Sequence, residues 1–127
     1  MAYNVEYEDR KDYLYAHITG NESHQNAITF FHNLKEKMEK ENWDAVLIVD
    51  EVKGILNTNE TYELSREIAE LHRGRIIAFV DPKEETFSQN YFGGTVVANR
   101  GVVTQVFKTE EAAIKWLGEI LNKNKRR

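Results

Sequence analysis

The chain has no cysteine and a single proline, and none of its apolar runs approaches the length of a bilayer. Without cysteine there can be no disulfide framework, no thiolate nucleophile and no thiolate metal site. That composition suits a reducing compartment, so a cytoplasmic location is expected. A spanning helix needs about 20 mostly apolar residues, and no membrane span is expected here. The start, Met1-Ala2-Tyr3-Asn4-Val5-Glu6, alternates and carries an acid where a secretory signal would be apolar. A basic stripe is missing too. The net charge of −4 comes from 17 basic and 21 acidic residues that are mixed nearly everywhere, which argues against a nucleic-acid partner. The one basic cluster, Lys123-Asn124-Lys125-Arg126-Arg127, reads as a solvated tail after a single domain over residues 1–122.

What is present is a regular alternation of strand and helix signals. Tyr3 to Tyr7 and Tyr13 to Thr19 alternate apolar and polar residues across a short charged turn, which predicts an antiparallel hairpin. Ser23 is a candidate N-cap for a helix whose buried stripe is Ala27, Phe31, Leu34 and Met38. Ala45 to Val49 and Ile76 to Val80 are short, continuous and β-branched, as expected of parallel strands covered on both faces. Between them Asn57 and Glu60 stand at capping-box spacing, opening a helix with Leu64, Ile68 and Leu71 inside. Asp81-Pro82 predicts the start of a third helix, with Phe87, Tyr91, Phe92, Val96 and Val97 along it and its end at Asn99-Arg100-Gly101. Val102 to Phe107 reads as an edge strand, and Thr109 caps a last helix that buries Ala113, Trp116, Leu117 and Ile120. The expected fold class is therefore α/β: a mixed sheet of about five strands and four helices, in the order β-β-α-β-α-β-α-β-α.

The run Thr95-Val96-Val97-Ala98-Asn99-Arg100-Gly101, then Val106-Phe107, then Ala112-Ala113-Ile114-Lys115-Trp116-Leu117 resembles the end of the SpoIIAA-like branch of the STAS superfamily. The element order of residues 3–121 is also similar to that branch. The resemblance implies a small α/β sandwich without catalytic chemistry that acts as a protein-interaction switch or binds a small ligand, and a likeness to Sec14-type lipid-binding domains. One feature departs from it. Anti-sigma-factor antagonists of the superfamily carry a phosphorylated serine in an Asp-Ser-Ser-Gly motif, whereas here Asp50-Glu51-Val52-Lys53-Gly54-Ile55-Leu56-Asn57-Thr58 has no serine. Thr58 is the one hydroxyl in that stretch, so the phospho-switch does not carry over.

Three constellations remain as candidates. Asp50 with Glu51, and Asp81, each follow an apolar strand, and ligands of open α/β sheets collect beyond the carboxyl ends of parallel strands. If the strands are neighbours, the three acids share a crevice that could hold Mg²⁺ for phosphoryl transfer. Alternatively, Asp81 only caps the helix after it. No companion lysine and no phosphate-cradling glycine loop is evident in the sequence, and no metal or cofactor is expected. Tyr91 and Phe92 adjoin Gly93-Gly94, where a backbone or a ligand can approach closely; the aromatics either fill the core or leave an apolar groove. Gly54-Ile55-Leu56 puts two large apolar residues in a loop, which either forms a contact surface or folds back on the core.

The leading expectation is a non-enzymatic binding or regulatory module. It would act on a protein partner or a second copy of itself through Ile55, Leu56, Thr58, Tyr62, Tyr91, Phe92, Gly93 and Gly94. The alternatives are a carrier or sensor of a small apolar, lipid-like ligand, and a metal-dependent phosphoryl-transfer enzyme using Asp50 and Asp81.

Overall fold

The computed structural model describes residues 2–125, which form five strands and four helices in the expected order. The chain begins with an antiparallel pair, β1 (Asn4–Asp9) and β2 (Leu14–Asn21), in the register Val5↔Ile18. Their connection turns through Lys11 in the left-handed region (φ 74°), and Lys11 N donates to Asp9 Oδ1 at 2.8 Å. Ser23 caps α1 (His24–Glu41) by accepting from Asn26 N, and Asn42 ends the helix in a left-handed conformation. The strand β3 (Ala45–Lys53) follows, then α2 (Thr58–His72), which opens on the full capping box of Asn57 and Glu60.

The remaining units are β4 (Ile76–Val80), α3 (Glu84–Ala98), β5 (Val103–Phe107) and α4 (Glu110–Lys125). The sheet runs β1-β2-β3-β4-β5, parallel from β2 onward, with β3 and β4 paired as Ala45↔Ile76 through Val49↔Val80. Each crossover therefore steps one strand in the same direction. Right-handed crossovers of one direction put their helices on one face, so α1, α2 and α3 share a side.

The core divides accordingly. On the three-helix face Leu14, Ala16, Ile18, Val46, Ile48, Val52 and Ile77 meet Phe30, Phe31, Leu34, Met38, Ile68 and Val97. On the other face Ala45, Leu47, Val49, Ile76, Ala78 and Val80 meet Ala113 and Leu117 of α4, with Trp116 half-buried against Phe107. The two sets alternate along β3 and β4, which is why those strands read as continuous apolar runs.

Both strands of the hairpin are shifted by one or two residues from the sequence reading, and three later boundaries differ as well. Strand β3 continues four residues past Val49, because pairing with β2 persists to Asn21↔Lys53. Helix α3 starts at Glu84 with Lys83 at the N-cap position, two residues later than Asp81-Pro82 implied. Helix α4 runs on to Lys125, so residues 123–125 are helix rather than tail, while Arg126 and Arg127 lie outside the described residues.

Candidate functional site

Adjacent, parallel and in register, β3 and β4 bring Asp50 and Asp81 side by side at their carboxyl ends. Both fall on the three-helix face, Asp50 in the series Val46, Ile48, Asp50, Val52 and Asp81 in the series Ile77, Phe79, Asp81. They are 3% and 0% exposed, so each must find partners within the protein. The partner missing from the sequence reading is Lys83. Its ammonium donates to Asp81 Oδ1 and to the Asp50 carbonyl oxygen, both at 2.8 Å, and lies 3.5 Å from Asp50 Oδ1. Asp81 also accepts from Lys83 N (3.0 Å), Thr86 Oγ1 (2.6 Å) and Asn90 Nδ2 (2.6 Å). Asp50 is less well served, with Val52 N at 3.0 Å and Asn90 Nδ2 at 3.4 Å.

The electrostatics follow from this inequality. For Asp81 burial is the largest single influence and favours the neutral acid, but the hydrogen bonds from Lys83 and Thr86 together outweigh it and hold the carboxyl below its usual range. For Asp50 burial prevails over the Lys83 charge, and the carboxyl is pushed up. Burial also works against the Lys83 ammonium, yet Asp81 and Asp50 more than compensate, and Lys83 stays charged. A third acid adjoins the pair. Glu22 accepts from the Tyr3 hydroxyl and from Ser23 N, and burial, with the Asp50 charge adding to it, raises it to about 7.

Tyr3, Glu22, Asp50, Lys83 and Asn90 form the polar wall of a cavity of about 80 Å³ between the sheet, α2 and α3, and Asp81 is bonded to the last two. Its other walls are mostly apolar, including Leu56, Ile68, Phe79 and Val97, with Thr61, Ser65 and Gln89 interspersed, and Ile55 stands at its rim. The volume is roughly half the ~150 Å³ of an apolar cavity known to bind benzene. It suits a few heavy atoms, not a lipid chain.

Gly93 and Gly94 shape this space. A Cβ at Gly93 would lie 2.9 Å from Ser65 Oγ, and one at Gly94 would lie 2.6 Å from Val106 Cγ2. The two glycines thus let α3 sit close against α2 and β5. They also decide which side of the helix is inside. Its buried residues are Thr86, Gly93 and Val97, whereas Tyr91 and Phe92 do not fill the core and are 52% and 40% exposed.

The other sequence candidates separate. Leu56 is buried and lines the cavity, while Ile55 is 57% exposed, so the loop both folds back and presents a residue. Thr58 is exposed on the first turn of α2, and Tyr62 is largely exposed with its hydroxyl bonded to Arg100. Glu51 does not join the crevice. Strand alternation turns it to the opposite face, where its Oε1 lies 2.6 Å from His17 Nε2. Tyr3, Glu22, Lys83 and Asn90 escaped the sequence reading because none stands in a motif. A lysine two residues after Asp81 was the one visible signal.

No protein-family profile matches the chain, and no curated protein matches it by sequence. Its structure is similar to that of an uncharacterized protein of the DUF3478 family with a SpoIIAA-like fold from Shewanella loihica PV-4. The TM-score is 0.54 at 15% identity, over 91% of this chain and 94% of that one. The likeness is one of fold, and the chain has the SpoIIAA-like fold that its last two helices and β5 suggested.

Proposed function

We propose that this SpoIIAA-like domain is a non-catalytic binding module whose site is the cleft between α2, α3 and the carboxyl ends of the strands. It takes a small ligand with a compact apolar body and one polar group. The observation that carries the reading is a single cavity with apolar walls on most sides and Asp50, Lys83 and Asn90 on the other. An apolar pocket with a few converging polar groups is the usual form of a small-molecule site. The cluster is poorly placed for chemistry. Lys83 is held charged and is no nucleophile, and Asp81 is saturated by four donors. A divalent ion between the aspartates would have to displace the Lys83 ammonium. Among the described residues, no group of three or more His, Asp or Glu is arranged to hold one. Both facts weigh against phosphoryl transfer. The small volume weighs against a lipid-like ligand.

A titration of ¹⁵N-labelled protein with butanol, butylamine and butyrate tests the reading. At least one compound should shift the amides of Thr61, Ser65, Gln89 and Gly93 saturably, and Leu64→Trp, which fills the cavity from α2, should abolish the shifts. Silence from all three compounds, or equal shifts in the variant, would overturn it.

A second reading, association with a protein partner or a second copy, is favoured by the exposure of Ile55, Tyr62, Tyr91 and Phe92. Sedimentation of the doubly substituted Tyr91→Ser, Phe92→Ser chain beside the parent tests it. A parent that is monomeric at high concentration would remove self-association.

A further inference from the structure

The cleft holds an imbalance of charge. Two carboxylates, Glu22 and Asp50, line it, and the one cationic side chain among its walls, Lys83, is bonded to the buried Asp81. Lys83 is committed chiefly to Asp81, which it meets through both its ammonium and its backbone N–H. Asp50 receives the same ammonium only at 3.5 Å on its carboxylate. Glu22 accepts both of its recorded hydrogen bonds, from Tyr3 and Ser23, on Oε1, and no described residue donates to Oε2. Two carboxylates are therefore left short of a counter-charge in a partly desolvated space. Such groups are costly unless paired.

Resting on the cleft being a ligand site, we infer that its ligand is a small protonated alkylamine, its ammonium against Glu22 and Asp50 and its alkyl body among Leu56, Ile68, Phe79 and Val97. An ammonium brings three donors and a positive charge to acceptors that lack both. A carboxylate or phosphate ligand would meet two acids, with the one lysine already committed to Asp81. A neutral alcohol would fill the apolar part equally but leave the imbalance in place. The ionisable groups that face Glu22 are Tyr3 from the residues before β1, Asp50 from β3 and Lys83 from the turn before α3. Without a ligand, Glu22 meets the imbalance by keeping a proton to about pH 7. Amine binding displaces that proton.

The four-carbon series distinguishes this inference from the reading beneath it. At about pH 8, butylamine should bind at least tenfold more tightly than butanol, and butyrate should be weaker than both. Glu22→Gln should remove most of the amine's advantage over butanol, and the amide preserves the acceptor for Tyr3. A second readout does not depend on any variant: below about pH 7 the butylamine affinity should fall by up to tenfold per unit as Glu22 takes up its proton, while that of butanol stays flat. Equal binding of all three compounds, or preference for butyrate, would overturn the amine assignment and leave the cleft standing. Silence from all three would remove both.

Discussion

The two faces of this sheet are covered by unequal means, and the better-covered face is the less completely filled. One helix, α4, closes its side over Ala45, Leu47, Val49, Ile76, Ala78 and Val80 with Ala113 and Leu117 at 0% exposure, and among the described residues no charged side chain is buried there. Three helices close the other side, yet that side holds the cavity, the Asp50–Lys83–Asp81 cluster, Glu22 and the buried His72. Covering a face and packing it are separate achievements. The three helices are spaced by their own contacts, α2 on α3 through Gly93 and α3 on β5 through Gly94, so their fit to the sheet beneath is not optimised everywhere.

The largest expected effect breaks this comparison if it fails. Leu117→Ala, on the filled face, should cost about 3–5 kcal/mol by urea denaturation, since its closely packed neighbours cannot collapse into the space the lost carbons leave. Leu64→Ala, at the half-buried wall of the cavity, should cost no more than about 1.5 kcal/mol, because the space beside it is already partly empty. Equal losses would mean that the faces are packed alike.

A smaller effect separates the two aspartates. Asp81→Ala strands Thr86, Asn90 and the Lys83 ammonium, and should cost about 3 kcal/mol. Asp50→Asn keeps the shape, removes a carboxylate that burial already disfavours, and should fall within about 1 kcal/mol of the parent. The reverse order would show that Asp50, not Asp81, anchors Lys83.

The smallest effect is the pH dependence, which should come from the three-helix face. The folded state keeps a proton on Glu22 to about pH 7, whereas the unfolded chain releases it near the ordinary 4.5, so this group's contribution to stability falls as pH rises between those values. His72 does the opposite. Burial holds it neutral to about pH 4 against an ordinary 6.5, so stability falls as pH drops through that window. The Asp81 carboxyl, held below its usual range, adds to the loss on the acid side. The slopes oppose one another through the mildly acidic range, and the parent should change little there. Urea midpoints of Glu22→Gln should rise with pH relative to the parent. His72→Gln, which can still donate to the Phe31 carbonyl oxygen, should lose less stability on acidification. Parallel curves for all three proteins would place the titrating groups elsewhere.

Much of the fold was legible because it depends on local chemistry. The caps at Ser23 and Asn57, the β4 boundaries and the neighbourly pairing of β3 with β4 all follow from short-range patterns. The candidate site was legible in part. Asp50 and Asp81 were recognised from their place after apolar strands, and Glu51 was wrongly joined to them because the end of β3 was drawn too early. For helix α3 the pattern leaves its aromatics open between core and groove. The interior is built from glycine, threonine and valine, residues that periodicity weighs lightly, and Tyr91 and Phe92 face outward.

By itself the sequence determined the order of elements, the parallel interior strands and the absence of any thiol chemistry, since hydrogen-bonding pattern and side-chain period act over a few residues. Only the tertiary structure decided that Lys83 neutralises Asp81, that Glu22 and Tyr3 meet Asp50, and that Tyr91 and Phe92 face outward. Those facts join residues up to tens of positions apart. They are set by how closely one helix backbone can approach its neighbours, which two glycines permit and no local pattern records.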